Sequence, residues 1–221
     1  MQRALDTELL NNLSGKYGSS FYLLESEKFE ENYKELTASF KKYYPKFNIA
    51  YSYKTNYIPK LVQIVNRLGG FAEIVSDMEL EIALKAGVKA EHIIWNGPIK
   101  NMLKVKELLL AGGTVNIDSI YEYEKIKDIA EANRDCILNI GIRCNYDVEM
   151  VLREIAVSKN MKLINLQAHF AKRSPKYWQA RTMGMLKIYE KVLKKYGLKP
   201  ERLDIGGGIY GKMPDSLRMQ L

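Results

Sequence analysis

Short apolar runs alternate with longer amphipathic stretches along most of this chain. The runs FNIAYSYK (47–54), GFAEIV (70–75), HIIWNG (92–97), TVNIDS (114–119), CILNIGIRC (136–144), LINLQAHF (163–170) and RLDIGGG (202–208) are rich in Ile, Val, Leu and aromatic residues. Bounded by turn formers, they read as strands. A further run, FYLLE (21–25), precedes them and reads as a strand too. Between the runs lie helical patterns, clearest at Phe29, Tyr33, Leu36, Phe40 and Tyr43, whose steps of three and four put one apolar stripe on a helix with Lys and Glu opposite. Helix starts carry their own chemistry. Ser76 with Glu79 and Ser119 with Glu122 have capping-box spacing, and Ser174 before Pro175 reads as N-cap then N1. Gly87 and Gly197 stand where a glycine ends a helix.

Strand, helix and strand recur about every 22 residues through the first half, the spacing of βαβ units in a parallel sheet. The steady unit favours an α/β fold of the (β/α)8 barrel type over an open doubly wound sheet. Seven units are countable from Phe47 onward, and residues 209–221 do not read as an eighth strand, so the expected barrel is incomplete. The predicted organisation is an N-terminal extension (1–20), a barrel domain (21–211) and a short tail (212–221).

Composition narrows the class. The chain has 221 residues, 47% of them apolar and 27% charged, which excludes a disordered or collagen-like chain. Lys and Arg exceed Asp and Glu by 34 to 26, a net charge of +8, but the lysines are interleaved with glutamates at 27–42 and 121–127. Such interleaving marks solvated helix faces and speaks against nucleic acid as a partner. The two cysteines, Cys136 and Cys144, match neither a disulfide framework nor a zinc knuckle, so no metal and a reducing, cytoplasmic setting are expected. Residues 1–20 lack the apolar core of a secretory signal, and no run reaches the length needed to span a bilayer, so no membrane association is expected.

Candidate chemistry collects at predicted strand ends. Lys54 closes an apolar, aromatic run, where barrel enzymes place their sites, and an apolar pocket there would favour the neutral, nucleophilic amine. A lysine snorkelling out of the core explains the same position. Gly206, Gly207 and Gly208 follow Asp204 on the seventh run, as a phosphate-binding nest or a tight turn would. His169 ends the sixth run, placed to stack on an aromatic cofactor or to be hydrogen-bonded in the core. His92 reads as a surface residue. Asn96 and Asp118 fit turn and cap roles, Glu73 is a further strand-end polar group, and Arg143 at an apolar strand end calls for an anionic partner.

Taken in order, these pieces resemble the fold-type III pyridoxal-phosphate enzymes, the diaminopimelate, ornithine and arginine decarboxylases, with alanine racemase more distant. The likeness is carried by AYSYKTN (50–56), DMEL (77–80), ALKAG (83–87), WNGP (95–98), VNIDS (115–119), His169 and LDIGGG (203–208). It implies that pyridoxal 5′-phosphate is held as a Schiff base on Lys54, that His169 lies against the pyridine ring, and that Gly206 to Gly208 grip the phosphate. It further implies a phosphate contact from Ser174, which stands two residues farther from His169 than in the usual pattern, and identifies Arg143 with the family's active-site arginine. The implied activity is decarboxylation of an amino acid of the diaminopimelate, ornithine, lysine or arginine class, as in polyamine biosynthesis, by a homodimer. A cofactor carrier without turnover and an amino-acid racemase are the alternatives within the same fold. The family's serine-arginine-phenylalanine-glycine segment, its Glu-Pro-Gly-Arg segment with the acidic partner of the ring nitrogen, and its C-terminal β-domain have no counterpart in this sequence.

Overall fold

A computed structural model describes residues 6–144, 148–170 and 175–208. Seven parallel strands follow one another in chain order in a single sheet: β1 (Ala50–Ser52), β2 (Phe71–Ile74), β3 (Ile93–Trp95), β4 (Thr114–Ile117), β5 (Leu138–Arg143), β6 (Met161–Gln167) and β7 (Arg202–Asp204). Consecutive order with every neighbour parallel is the winding of a (β/α)8 barrel, here open, with β1 paired only to β2 and β7 only to β6 among the described residues. All seven expected strands are present, each within its expected run except β6, which starts at Met161. The run at 21–25 is not a strand. Tyr22 is fully exposed, and among the described residues no strand pairs with this run to complete its backbone hydrogen bonds. The expected contributions of residues 145–147, Ser174 and 209–221 lie outside the described residues.

The helices are α1 (Thr7–Tyr17), α2 (Ser26–Lys41), α3 (Pro59–Arg67), α4 (Asp77–Lys85), α5 (Met102–Leu110), α6 (Ile120–Ala132), α7 (Glu149–Val157) and α8 (Pro175–Ile188). Both expected capping boxes form. Ser76 Oγ accepts from Glu79 N–H and Ser119 Oγ from Glu122 N–H, while each glutamate reaches back to accept from the N–H of Val75 or Asp118. Gly87 follows the last turn of α4 at φ +80° and Gly197 closes the irregular helical run after α8 at φ +70°, conformations in which a side chain is penalised. The stripe of α2 stops at Phe40, which stacks on Phe47 at 4.3 Å, and Tyr43 lies beyond the helix end in solvent.

The two faces of the sheet differ in chemistry. Ile74, Trp95, Val115, Ile117, Leu138, Ile140 and Ile142 form the apolar core with Val62 and Val65 of α3, Val105 and Leu109 of α5, Ile126 of α6 and Leu152 of α7. The alternate positions face inward and include the polar side chains Glu73, Asn116, Asn165, Arg202 and Asp204. One irregularity keeps this pattern in phase. The register shifts between Ile140 and Gly141, so that Leu163 pairs with Ile140 while Asn165 pairs with Gly141, leaving Ile164 as an extra residue in β6. Without that bulge, Asn165, Gln167 and the positions after them would turn toward the helices.

Candidate active site

The inward polar positions join into one hydrogen-bonded chain across the sheet. Asn165 Nδ2 donates to Asn116 Oδ1 at 2.9 Å, Asn116 Nδ2 to Asn96 Oδ1 at 2.6 Å, and Asn96 Nδ2 to Glu73 Oε1 at 3.0 Å. The Asn96 amide also favours the ionised form of the Asp204 carboxylate, so two acids on different strands feel one side chain. Gly141 is what makes room, because a Cβ there would overlap the Asn116 side chain. The layer therefore fixes β2, β3, β4 and β6 to one another just below their C-terminal ends.

Above it lies the rim where the predicted residues meet. Lys54 sits two positions beyond β1 in a turn closed by Thr55, whose N–H and hydroxyl both donate to Ser52 O. Tyr53 is buried and its N–H continues the ladder to Glu73 O, which leaves Lys54 exposed on the other side of the backbone. His169 lies two positions beyond β6, half-buried, and its Nδ1 accepts from Gly207 N–H at 3.2 Å. Burial first, then the charges of Lys54, Arg181 and Arg143, hold this imidazole below its ordinary value, opposed by Glu73. A ring that accepts at Nδ1 is neutral and carries its proton on Nε2. Lys54 and His169 each lie two positions beyond the C-terminal end of a strand, β1 and β6, in an all-parallel sheet, so both stand at the same end of the strands.

The glycine run after β7 is built against the loop after β6. Gly206 has φ +66°, and a Cβ on it would come within 2.7 Å of Ala168 O and 2.9 Å of His169 Nδ1. Its N–H donates to Asp204 Oδ1 at 2.9 Å, and Gly207 N–H is held by His169, so both amides are engaged within the protein. Gly207 is exposed and a Cβ there would meet only the His169 ring, at 3.9 Å, which leaves the backbone open to close approach from the rim; Gly208 follows at φ +95°. Asp204 is pushed up to about 6 by burial and then by Glu73, against the pull of Gly206 N–H, Asn96 and Arg181. Arg143, at the end of β5, finds its anionic partner in Asp118 at 3.1 Å, while its Nε has no partner among the described residues.

Two buried cations were not legible as such. Lys100 reads in the sequence as one more surface lysine, yet its side chain is fully buried, bonded to Glu122 Oε1 at 2.6 Å and to the carbonyls of Gly97 and Asn116. Burial lowers Lys100 and raises Glu122, each partner pulling the other back. Arg181 is buried on α8, where it shares the stripe of Trp178, Met185 and Ile188 at steps of three and four; that position is the signal that could have found it.

Residues 30–217 match the family model described as pyridoxal-dependent decarboxylase, pyridoxal binding domain. The chain is 26% identical to the diaminopimelate decarboxylase of Aquifex aeolicus, across 90% of this chain and 53% of that protein. It is 30% identical to that of Methanocaldococcus jannaschii across 62% of this chain and 32% of that one. A crystal structure of a protein from Aquifex aeolicus superposes with a TM-score of 0.77 at 26% identity, covering 92% of this chain and 53% of the other. The Helicobacter pylori diaminopimelate decarboxylase complexed with L-lysine superposes at 0.79 with 20% identity, covering 90% and 56%. The chain thus spans about half or less of the curated relatives it matches.

Proposed function

Since the chain belongs to the pyridoxal-dependent decarboxylase family, through its pyridoxal-binding domain, we propose that it attaches pyridoxal 5′-phosphate covalently at Lys54 and removes the α-carboxylate of an amino acid of the diaminopimelate, lysine, ornithine or arginine class. The residues of the rim fit this cofactor. An exposed amine, a neutral imidazole and a glycine backbone open at Gly207 stand on one rim, and Lys54, Arg143 and Arg181 give it a positive field suited to a phosphate. The observation that carries the reading is the His169 to Gly207 hydrogen bond, which makes the imidazole and the glycine run one unit at the end of the strands that also carries the Lys54 turn.

In this assignment Lys54 Nζ would be the attachment point, and the exposed turn leaves that amine accessible from solvent. His169 would stand beside the ring and, being neutral, would add no charge to it. The glycine run, approached from Gly207 and Gly208, takes the phosphate. Arg143, oriented by Asp118, supplies a guanidinium at the mouth for a substrate or cofactor anion. When bound, the cofactor supplies the electron sink for the pair left behind as carbon dioxide departs. The relatives solved with L-lysine, with putrescine and with agmatine support a basic amino acid as substrate.

The test begins with the chain mixed with pyridoxal 5′-phosphate. A visible absorbance band that borohydride fixes onto the protein is expected, together with its loss in Lys54→Ala; the same band in that variant would overturn the attachment site. Carbon dioxide release is then measured from lysine, ornithine, arginine and diaminopimelate. Capture of the cofactor with no release from any of the four would replace decarboxylation by cofactor holding.

A further inference from the structure

The loop that carries His169 and the loop that carries the glycine run have one buried side chain in common. Arg181 of α8 is only 5% exposed, and its guanidinium donates to three backbone carbonyls. Nη1 reaches Ile205 O and Gly207 O on the β7 loop, and Nη2 reaches Phe170 O on the β6 loop at 3.3 Å, while the Phe170 ring lies 5.6 Å from the guanidinium carbon. These acceptors flank the His169 to Gly207 bond: Phe170 is the residue after the histidine, and Ile205 and Gly207 bracket Gly206. A planar fork is the side chain that can hold two loops at a fixed separation, since its donors are rigidly spaced; an ammonium has one donor centre. Burying a guanidinium is costly unless hydrogen bonds and a nearby charge offset it; here burial lowers Arg181 from its ordinary value while the three carbonyl bonds and the field of Asp204 hold the charge in place.

We infer that Arg181 is the positioning residue of the phosphate site, clamping the β6 and β7 loops so that the His169 imidazole and the Gly206 to Gly208 backbone face the cofactor together. This rests on the cofactor reading above for its ligand, but not for its geometry. Arg181 touches no reacting atom in that assignment; it acts through the two loops and through its charge. The groups that face His169 are Lys54 beyond β1, Glu73 on β2, Arg143 on β5 and Arg181 on α8, three cations and one acid. Removing Arg181 therefore alters both the geometry of the imidazole and the balance of charge around it.

Two variants separate the two effects. Arg181→Lys keeps the charge and loses the fork, whereas Arg181→Met loses both while retaining a long apolar stem. The first readout is the titration of His169 by NMR in the protein without cofactor, assigned against His169→Gln because His92 is the only other histidine. The wild type should titrate below an ordinary imidazole, Arg181→Lys slightly higher, and Arg181→Met higher still. The second is affinity for pyridoxal 5′-phosphate against pyridoxal, by spectral titration. Both variants should bind the phosphorylated form on the order of tenfold or more weakly, as expected for hydrogen bonds to a charged donor, with little change for pyridoxal. Folding of each variant is checked by circular dichroism, and should Arg181→Met fail to fold, the comparison of Arg181→Lys with wild type carries both readouts. A folded Arg181→Lys that binds both forms like wild type and leaves His169 unmoved would overturn the clamp. If the wild type captured no cofactor but His169 shifted in the variants as stated, the cofactor reading would fall and the clamp would stand.

Discussion

Asp204 shows how one residue sets a local conflict at the rim. It sits where β7 ends, caps Gly206 through Oδ1, is buried and feels the charge of Glu73, so its charge is poorly solvated and close to another carboxylate. With its folded value raised to about 6 from an ordinary 3.8, the folded chain holds a proton that the unfolded chain has released. The stability this contributes is full below the ordinary carboxylate value and is lost as pH rises through about 6, so the ionised aspartate is a burden at neutral pH. Asp204→Asn keeps the oxygen that Gly206 bonds and removes the charge. It is expected to raise the melting temperature at pH 8, by on the order of 1–3 kcal/mol in stability, and to leave it nearly unchanged at pH 3, below the ordinary carboxylate value. Equal effects at both values, read by thermal unfolding, would show that the carboxylate is not strained. His169 acts with the opposite sign. Its folded value lies below the ordinary imidazole, so stability falls as pH drops through the normal histidine range while the unfolded chain protonates first.

At the scale of elements, the β6 bulge is the feature that turns a pattern of residues into a site. Ile164 is the additional residue, and it brings Asn165 onto the same face as Asn116 and Gly141. Gly141→Ala would drive a methyl into the Asn116 side chain and break the ladder from Asn165 to Glu73. A loss of about 1–3 kcal/mol is expected, the range of an overpacked core. Asn116→Ala opens that space, so the double variant should lose clearly less than the sum of the two single losses; simple additivity in urea unfolding would show that the two positions do not meet. This element also marks where sequence reasoning ran out. The strand order, the capping boxes at Ser76 and Ser119 and the glycines at Gly87 and Gly197 were readable because each is written within a few consecutive residues. The bulge was not, since apolar Leu163 and Ile164 side by side fit a strand facing either way. Arg181 and Lys100 were missed for a related reason: their partners are backbone carbonyls and a glutamate far along the chain, and only the fold brings them together. FYLLE was misread because four apolar residues in a row state a preference for burial without naming a neighbour.

For the whole molecule, the decisive geometric fact is that Lys54 and the glycine run belong to opposite ends of the sheet. β1 and β7 each have one strand neighbour among the described residues, and the curl of the sheet alone turns their C-terminal ends toward a common rim. At the other end of the strands the interior is already tied. Arg202 of β7 lies 4.7 Å from the ring centre of Phe71 on β2 and 3.4 Å from Thr114 Oγ1 on β4, so the inward face meets itself across the barrel. At the upper rim no comparable side chain joins the Lys54 turn to the glycine run among the described hydrogen bonds and ion pairs. Pyridoxal 5′-phosphate, if attached at Lys54 and gripped at Gly206 to Gly208, would itself be that tie. Binding to the folded chain alone stabilises it by about 2.7 kcal/mol at a free concentration one hundred times Kd, whatever the route. The distribution of that stabilisation is specific to this architecture. Backbone amides of both β1 and β7 should gain protection from hydrogen exchange in the presence of pyridoxal 5′-phosphate, more than those of β3 and β4, which are already paired on both sides. Pyridoxal, which carries the aldehyde without the phosphate, should protect the β1 end and leave β7 as it was. Protection confined to β1 with both compounds, measured by exchange mass spectrometry, would separate the attachment point from the glycine run and refute the bridged arrangement.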